Sequence, residues 1–258
     1  KYKAIVVIDT HEQETYSKEK RISKNIRGGK HKNGTNFFFK YMTMQVLVND
    51  KLVTLGVRFY RRDDKQSKLV DELIQLALKF VKIRVALLDR GFRDVKILNN
   101  LEYRGAPVLM PCVKDDKAQK CFEELGKKNF KTVKFWMQNP KQEFADVKLL
   151  MVRLSNRKEI GFYTTLRFTW LHTANYYLEL YAKRWNIETG YRLQNLFLPK
   201  TTSINEVVRL FYFCYAVAMH NLWLLIRSVT GLGKCFTVLK MKMVFVLFWV
   251  TTHLPKDW

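Results

Sequence analysis

The chain has 258 residues with 46 Lys+Arg against 23 Asp+Glu, a formal charge of +23 that repels itself and calls for a polyanionic partner, nucleic acid first and an anionic membrane surface second. With 48% hydrophobic and 14% aromatic residues it is not a disordered tail, and its length suits one large domain or a domain with an insertion. Cys112, Cys121, Cys214 and Cys235 form no CxxC pair and have no histidine at zinc spacing, so they read as reduced, mostly buried thiols of a cytoplasmic protein. No secretory signal opens the chain, and its start at Lys1 without a methionine reads as a fragment.

Residues 3–10 (KAIVVIDT) are a continuous apolar run ending near Asp9, which predicts a buried strand. Residues 11–36 are polar and basic, with a turn at KHKNGTN. Segments 37–48 and 52–60 predict two strands joined by a short hairpin loop at Asn49-Asp50-Lys51. Helical spacing covers 69–81, and 83–88 is a further buried strand ending at Asp89. A turn at Arg90-Gly91-Phe92 leads to a helix over 95–103 and a strand over 107–113. Helices between buried strands imply a mixed sheet covered by helices. Residues 114–131 read as a charged connector with a short helix, and 131–137, 147–154 and 160–168 as strands.

Spacing predicts one helix over 181–198 (YAKRWNIETGYRLQNLFL), with Tyr181, Arg184, Glu188, Arg192 and Asn195 on one face. A capping box at Ser203 and Glu206 starts the next helix, 204–227. Its apolar run 210–226, interrupted by His220 and Asn221, reads as a buried core helix rather than a membrane span. A last apolar stretch covers 236–250.

Chemistry concentrates in the carboxylates. An aspartate that ends a buried strand stands where open α/β sheets bind their ligands, although a turn-forming cap is the alternative for Asp9 and Asp89 alike. If Asp9, Asp89 and Glu188 converge, their like charges require a cation, and hard oxygen donors suit Mg²⁺ or Mn²⁺. Two such ions hold the attacking and leaving oxygens of a phosphoryl transfer. Taken alone, Arg184 and Glu188 also read as an ion pair on a solvated helix face.

The order strand–Asp, hairpin, helix, strand–Asp, then a late helix carrying Glu resembles the ribonuclease-H-like fold of the DDE transposases. Tyr181-x2-Arg184-x3-Glu188 resembles the Tyr–Arg–Glu–Lys signature of a group of insertion-sequence transposases, and Asp9-Thr10 and Asp89-Arg90-Gly91-Phe92 resemble its two aspartate turns. The apolar helix ending in Asn221-x-Trp223 is similar as well. The resemblance covers nearly the whole chain. It implies a first part of the core over 1–113, a strand-rich insertion over 114–168, and a catalytic helix with C-terminal helices over 169–258.

The resemblance further implies that Asp9, Asp89 and Glu188 are the catalytic, metal-binding triad for two Mg²⁺ or Mn²⁺ ions. Tyr181, Arg184, Arg192 and Lys200 become DNA-binding residues, with Arg184 orienting Glu188 or holding a phosphate. It departs from the signature at Asn195, where the lysine seven residues after Glu188 is expected; Lys200 is the nearest later lysine. A helical DNA-binding region usually precedes the first aspartate in that family. The implied activity is cleavage of a strand at an element end and its transfer to target DNA, by a homodimer on double-stranded DNA in a prokaryotic cytoplasm, associated with the nucleoid and with no membrane. The alternatives are a non-catalytic DNA-binding remnant, another ribonuclease-H-like nuclease, and a membrane protein.

Lys18, Lys20, Arg21, Lys24, Arg27, Lys30 and Lys32 form a basic segment suited to phosphates. His11 and Glu12 are candidates to line the site. Trp136 and Trp185 read as core residues, with stacking on bases as the alternative.

Overall fold

The first strand, β1 (Lys3–Glu14), is the axis on which the rest is built. The computed structural model describes residues 1–17, 24–167, 169–229, 237–238, 241–243 and 245, so Lys18, Lys20, Arg21, Cys235 and most of the stretch 236–250 lie outside the described residues. Two compact units are present, Lys1–Ile187 and Glu188–Trp258.

In the first unit, β1 pairs antiparallel with β3 (Thr35–Val48), and β3 also carries β4 (Lys51–Phe59) and β2 (Arg27–Lys32) along its other edge. On its opposite side β1 pairs parallel with β5 (Lys82–Leu88), which pairs parallel with β6 (Val108–Pro111). The strands β7 (Phe130–Gln138), β8 (Phe144–Arg153) and β9 (Glu159–Thr164) form an antiparallel meander, and β9 joins β6. The nine strands among the described residues therefore make one mixed sheet, ordered β2-β3-β1-β5-β6-β9-β8-β7 with β4 beside β3. The expected mixed α/β architecture is present, and the strand-rich segment before the late helices continues the sheet.

The helices follow from apolar spacing. In α1 (Gln66–Phe80) the buried residues are Leu69, Val70, Leu73, Ile74 and Ala77, one stripe of an amphipathic helix. α1 lies so close to β4 that a Cβ on Gly56 would stand 2.8 Å from Leu73 Cδ2. α2 (Val95–Tyr103) starts at Asp94, whose carboxylate accepts from the Lys96 N–H, and α3 (Asp116–Glu123) starts at Asp115 in the same way. One continuous core joins Ile8, Met44 and Leu73 to Phe135, Val147 and Leu149 of β7 and β8. Two hairpins turn on left-handed pairs, Asn33-Gly34 (φ 48° and 81°) and Asn49-Asp50 (φ 46° and 58°), matching strand twist.

Several expectations are corrected. β1 runs on to Glu14, so the polar segment after Asp9 begins as strand; His11 and Gln13 are buried on alternate positions, and Gln13 accepts a hydrogen bond from the Tyr41 hydroxyl at 3.0 Å. The helix expected over 181–198 is three pieces: α4 (Ala174–Ala182), a 3₁₀ turn over Lys183–Trp185, and α5 (Asn186–Asn195). Its residues do not share one environment, since Tyr181 and Arg184 are buried while Glu188, Arg192 and Asn195 are exposed.

In the second unit, α6 (Glu206–Val229) is capped by Asn205, whose Oδ1 accepts from the Val207 and Val208 N–H groups. Ser203, the expected cap, instead accepts from the Asn205 N–H one step earlier. The run 210–226 is buried on one side only: Phe213, Ala216, Val217, Trp223 and Leu224 are buried, whereas Phe211, Tyr215 and Leu225 are exposed. By length and composition α6 is apolar enough to cross a membrane, with a mean hydropathy of 1.3, and 39% of that window is buried.

Leu73→Ala should cost about 2–5 kcal/mol of stability in chemical denaturation, because the close seat of α1 on β4 leaves little room to collapse. Burial pushes His220 on α6 down to about 4 from its ordinary 6.5. The unfolded chain takes up this proton first, so His220 favours the fold above pH 6.5 and loses that contribution as pH falls towards 4. Urea midpoints measured across that range should fall more steeply for the wild type than for His220→Leu.

Candidate active site

Parallel pairing between β1 and β5 stops at Ile8 and Leu88. Beyond that rung β1 continues to Glu14 with β3 as its partner, while the chain leaves β5 through Asp89 into a 3₁₀ turn over Arg90–Phe92. Asp9 and Asp89 are the first residues past the last paired rung, on adjacent parallel strands, the place where open α/β sheets bind their ligands. Asp9 was expected at the end of its strand. It lies within β1, and what ends beside it is the parallel neighbour.

Both oxygens of Asp9 are engaged. Oδ1 accepts from the Thr10 N–H at 2.8 Å, and Oδ2 accepts from Arg184 Nη1 at 3.0 Å. The Arg184 and Asp9 side chains are 9% and 17% exposed, so this ion pair is largely out of water. Burial opposes the charge on Arg184, but Tyr181, Asp9 and Asp89 outweigh it and hold its pKa above the usual arginine value. The guanidinium carbon lies 5.5 Å from the ring centroids of both Tyr181 and Trp185. Arg184 Nε is buried with no hydrogen-bond partner among the described residues.

Tyr181 braces the end of β5. Its hydroxyl donates to the Leu88 carbonyl at 3.3 Å, directly before Asp89, and its ring packs on Phe162 at 5.2 Å. Burial pushes its pKa up to about 12, so it stays a neutral donor. The resemblance places Tyr181 and Arg184 on DNA; the structure places both side chains in the interior and sets Arg184 on Asp9. Helical spacing pointed Arg184 at Glu188, and nothing in the sequence signals the Asp9 partner 175 residues away.

Glu188 stands exposed in the first turn of α5, at the start of the second unit, and Arg192 and Lys200 are exposed further along. Among the described residues, no group of three or more His, Cys, Asp or Glu side chains is gathered closely enough to hold a metal. Asp9 and Asp89 nevertheless fit a divalent ion, because they offer hard carboxylate oxygens where the fold already places a cation, Arg184.

The remaining candidates separate. Glu12 is paired with Lys40 at 2.6 Å across the β1–β3 ladder, and His11 is buried. Trp136 and Trp185, expected in the core, are 59% and 57% exposed. Trp136 borders an open groove of about 310 Å³ with Lys134, Asp146, Lys148 and Arg167, where charged neighbours keep the strand face wet. The cysteines are less buried than expected, with Cys112 and Cys121 half-buried and Cys214 exposed. Of the basic segment, Lys24, Arg27, Lys30 and Lys32 are described. Arg27 donates to the Arg61 and Arg62 carbonyls and lies 3.9 Å over the Tyr60 ring.

A family described as the transposase DDE domain matches residues 3–220. The chain belongs to the transposase DDE domain family. Among solved structures, this transposase domain is similar to piggyBac transposase in a synaptic complex with hairpin DNA, with a TM-score of 0.63 and 10% identity over 100% of this chain. It spans 59% of that chain, so the likeness is one of fold. Among curated proteins, none matches the sequence. DDE transposases work with divalent metal ions.

In this transposase domain, Tyr181→Phe removes the brace on β5 and should cost about 0.5–1.5 kcal/mol in a urea melt with the fold unchanged.

Proposed function

We propose that this transposase domain cleaves DNA at the ends of a mobile element and transfers the freed 3′-OH to target DNA, with Asp9, Asp89 and Glu188 as its catalytic carboxylates. The observation that carries this reading is that Asp9 and Asp89 both follow the last parallel rung of β1 and β5, on adjacent strands, with Arg184 paired to Asp9. Asp9 and Asp89 would hold a divalent ion, and the resemblance adds Glu188 as the third metal-binding carboxylate. Two Mg²⁺ or Mn²⁺ ions, when bound, supply charge stabilisation to the attacking and leaving oxygens. The protein's share of the work is positioning. Tyr181 fixes the end of β5, and the Thr10 N–H orients the Asp9 carboxylate.

The partner is double-stranded DNA, at element ends and at the target, engaged by two copies of the chain. The formal charge of +23 supports this, as counter-ion release on binding phosphates favours association. Arg192 and Lys200, both exposed, are suited to phosphates, and Lys200 takes the part of the signature lysine that Asn195 lacks. Tyr181, Arg184 and Glu188 at signature spacing support membership of the Tyr–Arg–Glu–Lys group. The site of action is the cytoplasm of a prokaryote, on the nucleoid.

The test uses a duplex containing the DNA that flanks the coding region. Wild type should give nicked and joined products with Mg²⁺. Asp9→Ala, Asp89→Ala and Glu188→Gln should each lower both products below detection while still retarding the duplex in a gel. Nicking without joining would instead identify a nuclease, and full activity in all three variants would remove these residues from the chemistry.

A further inference from the structure

The end of the sheet that carries Asp9 also carries a cluster of cations with no part in the metal site. Asp9 lies opposite Thr43 of β3, and Thr43 lies opposite Val57 of β4. β4 therefore runs past the rung of Asp9, and Tyr60 extends it with its N–H on the Lys40 carbonyl at 2.8 Å. Beyond Tyr60 the chain turns through Arg61 and Arg62 to Lys65 at the start of α1. Arg27 of β2 closes on this turn. Its Nη1 donates to the Arg61 carbonyl at 2.8 Å and the Arg62 carbonyl at 2.9 Å, and its guanidinium lies 3.9 Å over the Tyr60 ring. The Arg62 N–H donates to the Lys24 carbonyl at 2.9 Å. Lys24, Arg61, Arg62 and Lys65 are all exposed. Backbone bonds thus hold together cations that would otherwise spread apart, and only Asp63 and Asp64 offset them within the turn. Lys65 stands at the N-cap of α1 with no acidic residue in the first turn, so the positive helix end adds to the cluster. On the part of β1 that leads towards it, Glu12 and Glu14 are paired with Lys40 and Lys32. A polyanion running from Asp9 to the cluster therefore meets no uncompensated carboxylate on β1.

We propose that Lys24, Arg61, Arg62 and Lys65, fastened by Arg27, form a phosphate-binding subsite that grips the DNA backbone at a fixed distance from the phosphate to be cut. This rests on the reading of Asp9 as a catalytic carboxylate. Lys40, which holds Tyr60, faces Glu12, and Arg27 faces Phe38 opposite Glu14, three and five positions past Asp9. With strands about 4.8 Å apart and a rise of about 3.3 Å per residue, the cluster lies about 14–19 Å from Asp9. At about 3.4 Å of duplex axis per base pair, that span is about four to six base pairs. Phosphate contacts fix the register of a protein on its duplex, so this grip selects which phosphate is delivered to Asp9.

The experiment measures binding of the whole chain to a duplex containing the DNA that flanks the coding region, by fluorescence anisotropy without divalent ions over a range of salt. One phosphate at a time is replaced by a neutral methylphosphonate. In wild type, a replacement about four to six base pairs from the nick should weaken binding at least threefold. Arg61→Gln combined with Arg62→Gln should weaken binding at least tenfold, lower the salt slope by about two, and lose the sensitivity at that phosphate. Lys24→Gln combined with Lys65→Gln should lower the slope in the same way, which decides the matter if the arginine pair does not fold. Lys79→Gln combined with Lys82→Gln removes two exposed lysines at the opposite end of the sheet and should bind within twofold of wild type. Wild-type affinity and slope in both cluster variants overturn the subsite, as does an equal loss in the Lys79 and Lys82 variant. A methylphosphonate effect confined to the nick also overturns it. If wild type binds the duplex but never cuts it, the cleavage reading fails, while the affinity and slope comparisons still decide the subsite.

Discussion

The parallel ladder between β1 and β5 ends at Ile8 and Leu88, and β1 does not end with it. Much follows from that mismatch in length. A strand that outlasts its neighbour leaves the residues just past the last shared rung outside the parallel ladder. Asp9 and Asp89 are those residues. The apolar run before Asp9 is buried from Ala4 to Ile8, so the aspartate emerges directly from the core with little water around it. The flanking elements answer that constraint, with Tyr181 fastening the shorter strand and Arg184 balancing the charge on the longer one.

Such an arrangement is poor economy for stability alone. Taking a carboxylate and a guanidinium out of water costs several kcal/mol per ion, which their attraction barely recovers. Apolar side chains of similar size would stabilise the same place as well or better. The pair is therefore weak as a stabilising device, and its Nε adds a buried donor with no partner among the described residues.

Much of this was written in local sequence. The helix over 95–103 and the strand ending at Leu88 were legible because apolar spacing and burial coincide there, and the hairpin at Asn49-Asp50 because its residues tolerate left-handed backbone. What escaped notice depends on partners distant in the chain. β2, RGGKHK, has no apolar alternation and is strand because β3 offers it hydrogen bonds. The second half of β1 hides its period behind His11 and Gln13, which are buried yet polar. The same holds at the site: two aspartates and the Tyr–Arg–Glu spacing could be read along the chain. The pairing of Arg184 with Asp9 could not, since periodicity describes one helix and says nothing of the strand across from it. The 3₁₀ turn at Lys183–Trp185 further breaks the phase that would have linked Arg184 to Glu188.

The meander β7–β9 has a consequence for how this domain can vary. β9 covers the edge of β6, and Phe135, Val147 and Leu149 belong to the same core as Ile8 and Leu73. The segment is thus not a detachable module. Excising it would strip a seam from the catalytic sheet and leave β6 as a bare edge, open to pairing with other chains. Its far end is different: the β7–β8 turn, with Gln142 at a φ of 62°, sits at the outermost hairpin of the sheet. A change of length at that distal hairpin disturbs few partners, whereas β9 is held to its length by pairing with β6 on one side and β8 on the other.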